Sequence, residues 1–503
     1  MSQLKKGVVL NYISIFLNMI VGLVYTPYML RMLGKSEFGL YSLAASVIAY
    51  LTVLDLGFGN AVIRYTAKFR AEGKIHEQEE MFGMFLVLYV IIGFLSLLFG
   101  GILAMNVEYL FSAKMTAYEI NRTQMMLWLM TFNLAFTFPM SIWGSIITAY
   151  ERFVFLRVIS IVRTILNPLV MAVLLTLGYK ALAMVVVTTI FNIVTLLINW
   201  WYCKYRLFIH IRRGHFKLDF IKEVSLYSFW IFLNAIMDRI YWSTGQFILG
   251  IYRGAASIAV YAIAIQLQNI YMNFSTAVTS VFLPRVTAMV VAENNSKDIS
   301  NLFIRVGRIQ YIVMAFILSS FVVLGRSFIS LWAGAGYEDA YIISLLFFIP
   351  LTVPMIQNLG ITILQARNQM KFRSLLYLFI SVGSLCISIP MTKYYGAIGC
   401  AIGISLALVL GQVIIMNIYY NIKQEIDIVM FWKEIIKMSI SPVLVCIFAK
   451  FVLSRFTISS WCDLIAASLL FCIIYVPIFF RMSMNNQERE IFIKPLKKLF
   501  RYS

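Results

Sequence analysis

Long apolar runs that lack any charged residue dominate this chain. Six of them contain no Asp, Glu, Lys or Arg, and they cover residues 81–107, 123–150, 181–203, 254–284, 340–366 and 394–422. A helix needs about 20 apolar residues to cross a hydrocarbon core about 30 Å thick. Because these runs have no polar face to turn towards water, they predict transmembrane helices and exclude a soluble bundle. The predicted fold class is an all-α polytopic membrane protein.

Glycine, proline and charged residues divide the apolar sequence into fourteen predicted spans. These are residues 8–33, 38–63, 82–105, 122–149, 155–178, 180–203, 223–250, 256–284, 303–325, 340–365, 374–394, 396–420, 436–456 and 459–481. Connections as short as 34–37 and 178–180 make the helices that they join antiparallel. An even number of spans places both termini on the same side of the membrane.

Basic residues decide which side that is. Of the 42 lysines and arginines, 30 fall on one side of the predicted topology and 10 on the other, while Arg163 and Arg239 lie within spans. The positive-inside rule therefore places both termini in the cytoplasm. The rule, together with attraction to anionic lipids, accounts for most of the net charge of +20, so nucleic acid is not expected as a partner.

The composition leaves little chain outside the bilayer. Hydrophobic residues make up 61% of the 503 residues and charged residues 13%, and the mean hydropathy is +0.85. The six cysteines are scattered without CxxC spacing, and the three histidines fall in predicted cytoplasmic loops. We therefore expect no metal, no cofactor and no disulfide framework. The tail from Glu488 is expected to lie along the inner leaflet as an amphipathic segment.

The chain repeats itself weakly at a spacing of about 217–220 residues. Residues 33–44 resemble residues 253–264, and residues 148–155 match residues 365–372 in position and character. This order of landmarks predicts a duplication of six spans, in which both halves have the same orientation. The predicted organisation is a lobe at 1–205, a cytoplasmic linker at 206–222, a second lobe at 223–421, two additional helices at 436–481 and a cytoplasmic tail at 482–503. Transporters built from such repeats bind substrate between the halves.

Two segments near the N-terminus resemble a known family. Residues 25–41, YTPYMLRMLGKSEFGLY, and residues 55–64, DLGFGNAVIR, are similar to the opening of the polysaccharide-transporter family, and AYERF at 149–153 extends the similarity. This family includes Wzx-type O-antigen flippases of the multidrug/oligosaccharidyl-lipid/polysaccharide exporter superfamily. The resemblance implies twelve core helices in two lobes around a central cavity, often with two further helices. It also implies a bacterial inner-membrane location and transport of undecaprenyl-pyrophosphate-linked oligosaccharides.

Charged residues within spans are the candidates for binding such a substrate. The planar guanidinium group of arginine can bind phosphate oxygens through two hydrogen bonds. Arg163 and Arg239 lie deepest, although the side chain of Arg163 could instead reach the membrane interface and Arg239 could instead form a structural ion pair. Arginines near the outer and inner ends of spans are further cavity candidates, with interface anchoring as the alternative: Arg31, Arg253, Arg64 and Arg285. Asp55 and Asp238 are candidates for ion coupling or for structural ion pairs, including a pair between Asp55 and Arg163.

The leading hypothesis is a flippase for lipid-linked oligosaccharides. No nucleotide-binding motif is present, because residues 55–60 break the GxGxxG pattern and Met29 replaces the first glycine of a Walker A motif before Lys35. Transport is therefore expected to use an H⁺ or Na⁺ gradient, the membrane potential or consumption of the product. A polysaccharide polymerase and a chain-length regulator are potential partners. The alternatives are a multidrug cation antiporter and a membrane polymerase or glycosyltransferase, although the outer connections 106–121 and 326–339 show no paired acids.

Overall fold

The structure, a computed structural model, describes residues 3–212, 218–291, 296–367, 369–453, 455–490 and 493. In its helices, the side chains of residues 3–9, 218–228, 230–231, 277–287, 290–291 and 296 lie outside this description. Within the described ranges the regular elements are helices and no strand occurs, which confirms the predicted all-α class. Sixteen α-helices follow one another: α1 Gln3–Leu51, α2 Phe58–Ala71, α3 Ile75–Met105, α4 Val107–Phe111, α5 Ala117–Ala149, α6 Phe153–Thr176, α7 Ala181–Tyr205, α8 Leu218–Tyr252, α9 Ala255–Val291, α10 Ser296–Trp332, α11 Asp339–Ile356, α12 Leu359–Ala366, α13 Met370–Leu408, α14 Met416–Lys423, α15 Ile428–Leu453 and α16 Trp461–Met482. A 3₁₀ turn at Thr52–Asp55 joins α1 to α2, and a π-helical stretch at Val409–Ile415 joins α13 to α14.

Eleven helical segments in the described chain are long and apolar enough to cross a membrane. Two of them, Leu10–Ala71 and Met370–Lys423, are each long enough to hold two of the predicted spans. Each is broken by a glycine in the left-handed region, Gly34 with φ 73° and Gly396 with φ 60°. Both glycines stand where the sequence predicts a short turn, because a residue without a Cβ adopts positive φ at little cost. The predicted seventh span, 223–250, lies in α8 and begins among side chains outside the description. The count of fourteen spans stays a prediction.

The first compact unit comprises residues 1–262 together with 389–400. Its core is built where α2, α3 and α5 pack together. Phe58 of α2 meets Phe85 and Tyr89 of α3 in edge-on ring contacts, with ring centroids 5.8 and 6.3 Å apart. Ile142 and Ile146 of α5 are fully buried in the same cluster. Through this cluster α2, α3 and α5 pack against one another.

The second compact unit comprises residues 263–388 together with 401–503. Here α10 packs against α11, α15 and α16. Phe303 of α10 lies 5.2 Å from Phe431 of α15, measured between ring centroids, and 5.8 Å from Tyr420 of α14. The two additional helices predicted after the second lobe, now α15 and α16, both pack against α10, and Phe316 of α10 lies 5.4 Å from Tyr475 of α16, measured between ring centroids.

The bounds of these units differ from those of the predicted lobes. Helix α8 and the first turns of α9 group with the first unit, although the prediction assigned residues from 223 onward to the second lobe. Contacts of α8 with α1, α2 and α4 account for this grouping. Most of the tail that is predicted to lie along the inner leaflet falls outside the described residues, and Glu488 at its start is 3% exposed. The predicted lobes themselves stay a prediction.

Candidate functional site

Arg163 lies near the middle of α6. It is the eleventh residue of the helix Phe153–Thr176, so it stands about 15 Å along the axis from the helix start. Its side chain is half-buried, and its Nη1 donates a hydrogen bond to the Oδ1 atom of Asn192, 3.2 Å away on α7. The guanidinium group is therefore held at membrane depth by a neighbouring helix.

Asn192 connects this arginine to a third helix. Its Nδ2 atom donates to the Oδ1 of Asn133, 2.9 Å away, and to the Oγ1 of Thr137, 2.7 Å away. Asn133 and Thr137 are four residues apart on α5, so they share one face of that helix. The hydroxyl of Thr137 in turn donates to the carbonyl of Asn133 at 2.7 Å. We call Arg163, Asn192, Asn133 and Thr137 the Arg163 cluster.

The partners of Arg163 in this cluster are neutral. Among the described side chains, no carboxylate lies within 4.0 Å of its guanidinium nitrogens. An amide oxygen orients a guanidinium group without cancelling its charge, and four further N–H donors stay available for other acceptors. A positive charge held in this way inside a bilayer is costly and is typical of functional positions.

Further polar groups continue the cluster along α6. The hydroxyl of Thr164 lies 3.5 Å from the Oδ1 of Asn18 on α1, at the limit of hydrogen bonding. Asn167 follows Arg163 by one helical turn, and its buried Oδ1 atom has no hydrogen-bond partner. A polar stripe of Arg163, Thr164 and Asn167 therefore runs along α6 inside the first unit.

Asp55 stands at a break in the second predicted span. The α-helix tightens into the 3₁₀ turn Thr52–Asp55, and Leu56 and Gly57 then adopt left-handed conformations with φ 53° and φ 73°. The carboxyl group of Asp55 is half-buried beside the hydroxyl of Tyr89 on α3 and the N–H of Gly57. Asp55 and Arg163, both fully described, form no ion pair with each other. The break thus places an acidic group against α3 rather than against α6.

The other candidate residues from the sequence lie outside the Arg163 cluster. Arg31 of α1, Arg64 of α2, and Asp238 and Arg239 of α8 are all exposed. Arg253, also exposed, donates to the backbone carbonyls of Thr392, Lys393 and Tyr394 at 3.2, 2.7 and 3.0 Å, just before the break at Gly396. The side chain of Arg285 lies outside the described residues. The structure therefore gathers none of these side chains into the Arg163 cluster.

A second arginine, Arg308 of α10, has a contrasting environment that the sequence did not reveal. Its Nε donates to Glu488 at 2.6 Å, and its Nη1 donates to Glu434 at 2.5 Å. Its side chain is 7% exposed, and that of Glu488 is 3% exposed. Its Nη2 also reaches the carbonyl of Ser483 at 3.3 Å. Two carboxylates therefore neutralise this guanidinium group and connect α10 to α15 and to the segment that follows α16.

Comparisons with known proteins identify a matching family and similar membrane proteins. The family described as "Polysaccharide biosynthesis protein" matches residues 4–290, more than half of the chain. The chain is 22% identical over 427 residues to the putative O-antigen transporter of Shigella flexneri, covering 82% of this chain and 97% of that protein. It is also 20% identical over 509 residues to the uncharacterized membrane protein EpsK of Bacillus subtilis (strain 168), covering 97% of each.

Solved structures with the same fold are also known. One is the lipid II flippase MurJ in an inward closed conformation, with a TM-score of 0.70 at 16% identity, covering 97% of this chain and 99% of that one. Another is a multidrug resistance transporter of the MATE family in an inward-facing conformation, with a TM-score of 0.63 at 14% identity, covering 83% of this chain and 99% of that one. At these identities the similarity shows a shared fold.

Proposed function

Because the chain belongs to the polysaccharide biosynthesis protein family, we propose that it flips lipid-linked oligosaccharides from the cytoplasmic to the outer leaflet of the bacterial plasma membrane. The substrate is an undecaprenyl-pyrophosphate-linked repeat unit of O-antigen or a related surface polysaccharide. The names of two similar proteins, an O-antigen transporter and a lipid II flippase, support this substrate class. The chain acts as a transporter rather than as an enzyme.

The observation that carries this proposal is the unneutralised charge of Arg163 at membrane depth. A diphosphate headgroup cannot cross hydrocarbon without a compensating charge, because the cost of burying an isolated ion is large. Arg163 offers this charge with free N–H donors, in the fork geometry that matches phosphate oxygens. Asn192 acts as a positioning residue that fixes the guanidinium plane, and the amides around it provide donors and acceptors suited to sugar hydroxyls.

The remaining sequence candidates take roles at the two ends of the route. We assign exposed Arg239 to the substrate path. Arg64 and Arg285 are assigned to headgroup capture from the cytoplasmic leaflet, and Arg31 and Arg253 to release on the outer side. Both termini are cytoplasmic in this scheme, as the basic loops predict. Asp55, at the helix break, is the candidate for coupling to H⁺ or Na⁺, since broken helices provide ion sites in transporters. Asp238 stays a candidate for coupling or for an ion pair.

Transport of cationic drugs is the second candidate, because the fold is shared with a multidrug resistance transporter. The charge of the site separates the two functions. A cationic drug would be repelled by Arg163, whereas a diphosphate would be attracted. The Arg163 cluster therefore favours the anionic substrate.

The test is deletion of the gene in its own host, followed by localisation of lipid-linked repeat units. The proposal predicts loss of surface polysaccharide and accumulation of lipid-linked units that face the cytoplasm. Complementation with the intact gene should reverse both effects. Unchanged surface polysaccharide together with new sensitivity to cationic drugs would reject flipping and support the second candidate.

A further inference from the structure

A groove lies between α14 and α15 in the second unit. Its volume is about 780 Å³, and Ile418, Ile422, Val429 and Ile436 form much of its wall. This volume falls within the range of about 300–1,000 Å³ that is typical of small-molecule sites. Because the branched side chains of both helices line it, the groove suits a hydrocarbon chain.

Basic side chains stand along the same groove. Lys433 and Lys437 of α15 both line it, and both are exposed. They are four residues apart, so their ammonium groups project from the same helix face. Lys433 and Lys437 lie five and nine residues from the first residue of α15, about 8 and about 14 Å along the axis, so both are in the half of the helix that the basic loops assign to the cytoplasmic side.

Hydrogen bonds hold the polar wall of the groove in shape. The indole Nε1 of Trp432 donates to the Oδ1 of Asn417 at 2.9 Å, and the Nε2 of Gln357 donates to the same oxygen at 2.7 Å. Trp432 and Asn417 both line the groove, while Gln357 is buried behind it. The amide and indole are therefore fixed before any ligand arrives, which lowers the ordering cost of binding.

The carboxylate of Glu434 lies close to one of these two lysines. Glu434 lies 3.5 Å from the Nζ of Lys437, measured to its Oε1 atom. Its other oxygen, Oε2, accepts a hydrogen bond from buried Arg308. Because Arg308 already engages Glu434, the carboxylate cancels the charge of Lys437 only in part. No ion pair of Lys433 occurs among the described residues.

We propose that this groove binds an anionic phospholipid of the cytoplasmic leaflet, with its phosphate between Lys433 and Lys437 and one acyl chain along the apolar wall. The basic loops assign this end of α15 to the cytoplasm, where anionic lipids attract basic residues near the surface. The groove combines positive charge at the interface with an apolar channel. A free phosphate ion would use the charge alone, whereas a phospholipid uses both features.

The test measures lipid binding to the purified full-length protein in detergent. Phosphatidylglycerol and phosphatidylcholine are titrated separately, and bound lipid is counted by native mass spectrometry. Wild-type protein should retain phosphatidylglycerol in preference to phosphatidylcholine. The double variant Lys433→Ala/Lys437→Ala should weaken phosphatidylglycerol binding about tenfold or more. Lys450→Ala, which removes an exposed lysine near the far end of the same helix, should bind as wild type does.

A second variant tests the apolar wall separately. Ile436→Trp fills the groove with a large ring while keeping both lysines, and it should reduce binding of the lipid. Equal binding of both lipids to wild type, or unchanged phosphatidylglycerol binding in the double lysine variant, would overturn the proposal. Displacement of the lipid by inorganic phosphate at similar concentration would also overturn it, because the site would then recognise the phosphate alone.

Discussion

Arg163 and Arg308 are two arginines in helical, largely apolar surroundings, yet the partner of Arg163 is neutral and the partners of Arg308 are negatively charged. In the first unit, Arg163 is half-buried and held by the neutral amide of Asn192. In the second unit, Arg308 is buried and paired with the carboxylates of Glu434 and Glu488. The first arrangement fixes the direction of a positive charge and leaves it able to act on a ligand. The second uses the charge to connect three chain segments.

The contrast separates a functional arginine from a structural one by its partner. A buried ion pair contributes little net stability, but removing one partner leaves a charge without compensation, at a cost of several kcal/mol. The amide of Asn192 is uncharged, so removal of Arg163 leaves no uncompensated charge behind. Loss of Arg163 should therefore impair function more than folding, and loss of Arg308 should do the reverse.

The largest effect is expected from Arg308→Ala. This substitution strands the carboxylates of Glu434 and Glu488, and it should lower the free energy of unfolding by about 3–5 kcal/mol. Thermal unfolding in detergent and membrane abundance measure the loss. Arg305→Ala is the matched control, because Arg305 lies one turn away on the same helix and is exposed. Equal stability of the two variants would show that the buried network is not structural.

The next effect is expected from Arg163→Ala. Hydrogen bonds to charged groups contribute about 1.5–3 kcal/mol, so transport should fall about tenfold to a hundredfold while abundance stays normal. Surface polysaccharide in the deletion strain reports transport, and an immunoblot of membranes reports abundance. The control is Arg157→Ala, which removes an exposed arginine nearer the start of α6. If Arg163→Ala lost abundance in proportion to transport, the arginine would be structural.

Double-mutant cycles measure whether each arginine is energetically coupled to a carboxylate. Arg163 and Asp55 form no ion pair, so the effects of Arg163→Ala and Asp55→Asn on stability should add to within about 0.5 kcal/mol. The corresponding cycle of Arg308→Ala with Glu488→Ala should instead show coupling of about 0.5–3 kcal/mol, because these residues share one network. A large coupling between Asp55 and Arg163 would mean that the first unit also contains a neutralised arginine.

The smallest effect is expected from Asn192→Ala. The guanidinium group keeps its charge and its other N–H donors and loses only its fixed orientation, so transport should fall about fivefold, which corresponds to about 1 kcal/mol. Thr195→Val on the same helix serves as the control, because the hydroxyl of Thr195 donates only within its own helix, to the carbonyl of Phe191. Transport at the wild-type rate in Asn192→Ala would remove the positioning role.

Apolar runs were sufficient to predict the helical class and the approximate positions of most spans. The turns at Gly34 and Gly396 were predictable because glycine coincides there with a change in hydrophobicity. Proline was a weaker guide. Helices continue through Pro27, Pro139 and Pro168, whereas the chain breaks at Leu56 and Gly57. A proline removes one donor that neighbouring groups can replace, and the break depends on tertiary contacts that no local pattern shows.

The site was only partly predictable for a related reason. A charge within an apolar span is rare, which makes Arg163 predictable as a candidate, whereas Asn133 and Asn192 are neutral residues in charge-free runs and do not stand out. An amide at mid-span is itself a signal, since it needs a partner in the membrane. The partners of Arg308 could not be inferred, because Glu434 and Glu488 follow it by 126 and 180 residues. Such pairing depends on how the helices pack.

The most direct test of the central claim is a flipping assay in proteoliposomes that contain an undecaprenyl-pyrophosphate-linked oligosaccharide. Protection of the sugar from an added glycosidase reports which leaflet it occupies. Wild-type protein should move the lipid between leaflets, and Arg163→Ala should slow this movement about tenfold or more at equal reconstitution. No movement with wild type under an applied potential or ion gradient, or an unchanged rate with Arg163→Ala, would contradict the account.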